Sequence, residues 1–284
     1  MPRHNVDFLI IGAAKCATTW LQRSLQRSPA CFLPDPELHY FSREYHRGDA
    51  WYFRHFDPAP EGAILGEKSN SYLTEPQAAE RIHRTMPNVR LIVQVRNPVD
   101  RAYSEYCMLL RRGEVSRNID DYLDPRKTGT QRFIQNGLYG QHLQRFVDLF
   151  GRQSLLILFY EDVRSAPHAQ LRALASHVGH DGDLPPPLQE KLKDKEAAIV
   201  PLWLRRSLRP VRSVLDSVRD TAPVVALRNA VARPIRYPAL RGDLRSRLQA
   251  FYTDDIARLE TLAQRPLTSW MQAAQADTLL DVPG

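Results

Sequence analysis

The feature that most narrows the choice of fold lies between Asp7 and Leu21. Four consecutive apolar residues, Phe8, Leu9, Ile10 and Ile11, lead into a turn of small residues, Gly12-Ala13-Ala14-Lys15-Cys16-Ala17, and then into Thr18-Thr19-Trp20-Leu21. A short apolar run without alternation is how a strand buried on both faces reads, and such strands belong to parallel sheets covered by helices. The same turn is built to collect anions. N–H groups at a helix start have no intrahelical acceptor, and the helix dipole favours negative charge there. Small side chains let an oxyanion reach the backbone. Lys15 adds a full charge, and Thr18 and Thr19 add two donors. The alternative, a plain strand-to-helix turn, gives no reason for a lysine among alanines followed by paired threonines.

Similar apolar runs recur at residues 63–65, 91–95 and 155–159. Helical patterns alternate with them. Residues 18–27 place Trp20, Leu21 and Leu25 on one face. Residues 76–86 open after Thr74, read as an N-cap with Gln77 at the capping-box position. Residues 98–112 begin with Asn97 as cap and Pro98 at the first helical position. Residues 138–150 and 243–262 follow the helical period. Strands alternating with helices of crossover length predict an α/β fold, a parallel sheet flanked by helices. Residues 181–237 differ: they open on Pro185-Pro186-Pro187, are rich in arginine and show no clear strand. They are expected to form a mostly helical lid or cover within a single domain spanning 1–284.

A second anion motif follows the run at 91–95. The strand delivers Arg96 to its C-terminal end, the edge at which open α/β sheets bind ligands. The guanidinium fork suits a phosphate, and Ser104, two helical turns on, adds a donor. The competing reading is an Arg96–Asp100 ion pair capping the helix; Arg101 is read as structural. Between the two motifs lies Gly66-Glu67-Lys68-Ser69-Asn70-Ser71-Tyr72. Glu67, taken to sit just past a strand, is expected to project into the same crevice and accept a proton from an attacking hydroxyl or amine. The competing reading is a salt bridge to Lys68.

These segments together resemble the sulfotransferases that use 3′-phosphoadenosine 5′-phosphosulfate (PAPS), closest to a bacterial branch similar to the heparan sulfate enzymes. Residues 11–21 resemble the family's 5′-phosphosulfate loop. Residues 95–106 resemble its 3′-phosphate motif, with Arg96 and Ser104 matching the phosphate-binding pair. Glu67-Lys68-Ser69 with Tyr72 resembles the segment holding the catalytic glutamate. Glu37-Leu38-His39-Tyr40-Phe41-Ser42, Gly137-Leu138-Tyr139 and residues 155–162 match further segments. The resemblance implies a P-loop-like sheet, PAPS as co-substrate and no metal. It implies donor contacts from Lys15, Cys16, Ala17, Thr18, Thr19, Trp20, Arg96 and Ser104, with Glu67 and Lys15 catalytic. His39 is a second candidate for proton transfer or acceptor contact, set against a buried, hydrogen-bonded histidine. His142 is read as structural. The chain departs from the family at Cys16 and Ala17, where glycine is common, and at Pro36, where many relatives carry lysine. Lys191, Lys193 and Lys195 are candidates for the late loop over the nucleotide.

Composition bears on partners and compartment. The formal charge is +7, and residues 201–248 hold eleven arginines against Asp216, Asp220 and Asp243. That bias favours anionic ligands, or a peripheral membrane contact by this segment, against the bland reading of a solvated basic face. The acceptor is expected to be a glycan, glycolipid or small metabolite. The run at 8–11 is too short for a membrane span or a signal-peptide core, and three scattered cysteines lack metal-ligand spacing. A cytoplasmic protein is expected. Two rivals remain. A nucleotide-dependent phosphotransferase needs a lysine directly before Ser or Thr and a magnesium carboxylate, and neither is legible. An anionic-polymer binding module explains the arginines but not two phosphate motifs, and no nucleic-acid motif is present.

Overall fold

The structure, a computed structural model, describes residues 5–127, 131–187 and 235–272. Five strands, β1 (Phe8–Gly12), β2 (Cys31–Phe32), β3 (Ile64–Lys68), β4 (Arg90–Val95) and β5 (Leu155–Phe159), form one parallel sheet in the order β2-β3-β1-β4-β5. The expected α/β architecture is therefore present. The helices are α1 (Thr18–Gln26), α2 (Asp49–Phe53), α3 (Ala78–Thr85), α4 (Pro98–Arg112), α5 (Asp120–Leu123), α6 (Gln131–Gln135), α7 (Tyr139–Phe150), α8 (Asp162–Ser165), α9 (Pro167–Val178) and the long α10 (Gly242–Ala263). Among the described residues no helix is long and apolar enough to cross a membrane.

Both faces of the sheet are dry, which explains the unalternating strands. Phe8, Ile10, Ile92 and Leu158 pack with Leu21 and Leu25 of α1 and Leu171 and Leu174 of α9. Leu9, Ile11, Leu91, Val93 and Val95 face the larger layer, with Ile82 of α3, Ala102 of α4, Phe146 of α7 and Leu259 of α10. Gly66 is required by this packing: a Cβ there would lie 2.0 Å from the Phe8 ring. Each buried leucine in these layers contributes about 1.5–3 kcal/mol of transfer free energy.

Helix ends follow the sequence in some places and not in others. Asn97 caps α4 by accepting from the Val99 N–H at 3.0 Å, with Pro98 at the first position. Its own N–H donates to Glu161 Oε1 at 3.1 Å and its Nδ2 to the Trp270 carbonyl at 3.2 Å, pinning this corner to the turn after β5 and to the segment after α10. The Thr74 cap is not formed. α3 starts at Ala78, after Gln77, and the Thr74 hydroxyl donates instead to the Ser71 carbonyl at 3.5 Å. α7 is capped from outside, because Asp255 of α10 accepts from the N–H groups of Gly140 and Gln141 at 2.9 and 2.8 Å.

The strand order places one switch in winding direction. β1 leads towards β2 on one side and β4 towards β5 on the other, so the crevice at their C-terminal ends is the expected ligand site of an open α/β sheet. The turn after β1 and Arg96 after β4 both open there. Of the expected lid at 181–237, residues 188–234 lie outside the described residues, as do Lys191, Lys193 and Lys195.

Candidate active site

The turn after β1 wraps a left-handed backbone around the α1 start, with φ of 70° at Lys15 and 60° at Ala17. Such a reversal directs successive N–H groups inward as an anion nest. No side chain caps α1, which leaves the first-turn donors at Thr18 and Thr19 for a ligand. A Cβ on Gly12 would sit 2.9 Å from Leu73 Cβ, so the strand can enter the turn this closely only as glycine. Cys16 does not contribute its side chain to the cradle. Its Sγ is fully buried, 3.6 Å from the Tyr139 hydroxyl and 3.7 Å from the Ala14 carbonyl, and burial pushes the thiol up to about 11. Trp20 is half-buried against the smaller core layer, and Thr19 is exposed.

Lys15 and Arg96 come from adjacent strands and face one crevice. Burial lowers the Lys15 pKa, and the Arg96 and Arg112 guanidinium groups lower it further. The Lys15 ammonium lies 3.9 Å from Met108 Sδ. Arg96 stacks its guanidinium 4.2 Å from the centre of the Tyr160 ring. Among the described residues neither cation has an ion-pair partner. The alternative pairing of Arg96 with Asp100 is absent, because Asp100 accepts from Arg245 Nη2 at 2.8 Å. Arg101 is structural as expected, fully buried and donating to Glu105 Oε2 at 2.8 Å. Ser104 is half-buried on α4, one turn before Met108. Two neighbouring cations without an ion-pair partner among the described residues, at a helix start and at the topological switch, suit a polyanion.

Glu67 is not where its sequence context put it. β3 runs through Lys68, so Glu67 lies inside the strand, opposite Leu9, and is 1% exposed. Its carboxylate is closed in by hydroxyls. Tyr72 donates to Oε1 and Oε2 at 3.1 and 2.9 Å, Tyr52 reaches Oε2 at 3.4 Å, and Ser69 Oγ donates to Oε1. Burial raises its pKa to about 7, against the lowering effect of those bonds. The Glu67–Lys68 salt bridge is not formed either, because Lys68 points to the other face of the strand.

Lys68 pairs instead with Glu37, Nζ to Oε1 at 2.8 Å. Glu37 keeps 23% of its side chain exposed. It accepts from the Asn70 N–H at 2.9 Å and from Asn70 Nδ2 at 3.1 Å. Asn70 Oδ1 in turn accepts from Thr18 Oγ1 at 2.8 Å, so the carboxylate is joined to the anion turn. His39 stands beside it, Nε2 lying 3.8 Å from Glu37 Oε2, with Nδ1 2.7 Å from Ser71 Oγ. Burial lowers the His39 pKa, Glu37 opposing it. His39 is thus partly exposed and oriented rather than lost in the core. His142 is held between the Gln135 carbonyl at 2.8 Å and Arg145 at 3.2 Å, a structural placement.

The aromatic stretch beyond His39 forms core rather than an open stacking face. Tyr52, Phe53 and Phe56 are buried, and Tyr52 stacks on Tyr40 at 4.8 Å. Only Trp51 and His55 remain partly exposed.

A family model described as the sulfotransferase domain matches residues 5–194, a span that contains both cradles, Glu37 and Glu67. The chain belongs to the sulfotransferase family. Heparan sulfate glucosamine 3-O-sulfotransferase 6 of Homo sapiens is 34% identical over 176 residues, 60% of this chain and 51% of that protein. The bifunctional heparan sulfate N-deacetylase/N-sulfotransferase 2 of Homo sapiens is 31% identical over 192 residues, 61% of this chain and 22% of that protein. The chain thus spans about half, or less, of the length of these curated relatives. A solved sulfotransferase from Alicyclobacillus acidocaldarius shares the fold with a TM-score of 0.70 at 25% identity, covering 94% of this chain and 99% of that one. As a sulfotransferase domain, the chain carries its sheet, its anion turn and its second cation in the order the sequence led us to expect. Glu37, Lys68, Asn70 and Tyr160 were not singled out as site residues. Glu37 lies within the quoted match Glu37–Ser42, and that match was the available signal.

Proposed function

We propose that this sulfotransferase domain transfers the sulfuryl group of PAPS to a hydroxyl or amine of a carbohydrate acceptor. The observation that carries the reading is the joint placement of Lys15 and Arg96 at the ends of β1 and β4, close enough for each charge to act on the other. One nucleotide with phosphates at both ends of its ribose satisfies both cations. Arg96, with its face on Tyr160 and no ion-pair partner among the described residues, suits the 3′-phosphate, with Ser104 on the adjoining helix. Lys15 and the N–H groups of the turn suit the 5′ end. PAPS supplies an activated sulfuryl group. The acceptor forms a bond to sulfur, the sulfur–oxygen bond to phosphate breaks, and the electron pair stays on the phosphate oxygen. Lys15 stabilises the charge gathering on that oxygen. The acceptor proton goes to a carboxylate.

We assign that proton to Glu37. A general base must reach the proton it takes, and geometry ranks ahead of pKa in choosing it. The raised pKa of Glu67 would make it an apt base, but its oxygens are enclosed by Tyr52, Tyr72 and Ser69. Glu37 is accessible and tied to the turn that would hold the phosphosulfate. His39 is the adjacent acceptor contact. The carbohydrate acceptor rests on the heparan sulfate named in the relatives.

Calorimetry with 3′-phosphoadenosine 5′-phosphate (PAP) against ATP with magnesium separates this function from phosphoryl transfer. Micromolar or tighter binding of PAP, lost in Arg96→Ala, is expected. Preference for ATP would overturn the reading. Labelled PAPS incubated with desulfated heparan sulfate and with a host-cell extract then identifies the acceptor by where sulfate appears.

A further inference from the structure

Thr18 carries one hydroxyl proton, and it is already in use. A threonine hydroxyl donates once, whereas a phosphate or sulfate oxygen only accepts. Thr18 Oγ1 donates to Asn70 Oδ1 at 2.8 Å. The Asn70 amide cannot be turned round to release it, because its Nδ2 faces Glu37 Oε1 at 3.1 Å, and the opposite orientation would set oxygen against carboxylate. The Asn70 N–H holds the other carboxylate oxygen at 2.9 Å. Asn70 therefore grips Glu37 from two points and takes the Thr18 proton with its third polar group.

We propose that Asn70 is a positioning residue that ties the proton-accepting carboxylate to the donor turn, so that an anion seated on the turn competes with Asn70 for the Thr18 proton. This rests on the assignment of Glu37 made above. Its consequence has opposite signs for the two halves of the reaction. Asn70 weakens binding of the 5′-phosphate, because Thr18 must give up a bond to serve it. Asn70 also aids turnover, because it fixes the Glu37 carboxylate. A residue that merely supported the loop would help both.

The test is a double-mutant cycle on the full chain, read by PAP calorimetry and by thermal unfolding with and without PAP. Asn70→Ala is expected to bind PAP about two- to tenfold more tightly, the value of one neutral hydrogen bond. In a Thr18→Val background the same change has no effect on PAP affinity, whereas Thr18→Ser preserves it. Turnover of labelled PAPS with desulfated heparan sulfate falls about tenfold or more in Asn70→Ala, as expected for a lost bond to a charged group. Asn70→Ser serves as a second variant if the alanine form unfolds. Weaker PAP binding in a folded Asn70→Ala or Asn70→Ser variant overturns the proposal, as does a tightening that persists with Thr18→Val. Unchanged turnover in Asn70→Ala alongside a dead Glu37→Gln overturns the link and leaves the Glu37 assignment standing. An active Glu37→Gln overturns that assignment by itself.

Discussion

Glu37 and Glu67 are thirty positions apart in the chain and meet β3 from opposite faces, because Glu37 pairs with Lys68, the strand neighbour of Glu67; their surroundings are opposites. Glu37 is bound by charged and amide donors, Lys68 and Asn70, and keeps an open edge beside His39. Glu67 is bound by three hydroxyls, from Tyr52, Tyr72 and Ser69, and is 1% exposed. The donors around Glu37 fix the carboxylate in one orientation and leave part of it open to an incoming acceptor. A dry aromatic enclosure favours the neutral form and makes the carboxyl part of the core. Under the proposed assignment, access rather than a raised pKa selects the reacting group.

The widest separation between the two is in turnover. Glu37→Gln is expected to lower kcat by about 10²–10⁴-fold, the usual contribution of a positioned base, with PAP affinity unchanged by calorimetry. Glu67→Gln is expected to keep kcat within about tenfold of the parent, because its effect on the reacting atoms is indirect. The reverse ranking would return Glu67 to the role its sequence context gave it.

The next separation is in stability. Glu67→Ala leaves the Tyr52, Tyr72 and Ser69 hydroxyls without an acceptor in a closed space and opens a small cavity. The expected loss is roughly 2–4 kcal/mol in denaturant titration. Glu37→Ala, at a partly solvated site, is expected to cost about 1 kcal/mol or less. Equal losses would mean that the Tyr52–Tyr72 enclosure is looser than the distances show.

The contrast also explains what the sequence conceals. The sheet was legible because its strands are continuous apolar runs, and α4 was legible to the residue because Asn97 and Pro98 mark its start. The two-residue β2 carries too little pattern to read. The placement of the turn after β1 and of Arg96 after β4 was legible because each follows directly on an apolar strand run. The surroundings that separate Glu67 from Glu37 were not. The polar pair Glu67-Lys68 ended the apolar run and was taken to lie beyond the strand, yet β3 continues through both. They remain in the strand because each has a partner from another part of the chain: Tyr52 over Glu67, Glu37 over Lys68. No local pattern records those partners.

The finest separation is in the pH dependence of stability, and its sign is opposite to the usual carboxylate case. Glu67 has an ordinary value near 4.5 when unfolded and about 7 when folded, through burial. Between those values the native protein keeps a proton that the unfolded chain has released. Stability then falls as pH rises through this window, and the contribution is fully present only below its lower edge. A carboxylate whose folded-state pKa is lowered acts the other way. Subtracting the stability of Glu67→Gln from that of the parent at each pH removes the other titrating groups. The difference is expected to decline from pH 4.5 to 7 and to level off above it. A difference that rises over the same range would mean that the three hydroxyls stabilise the anion more than burial penalises it. Glu67 would then be a charge held in the core by three hydroxyls.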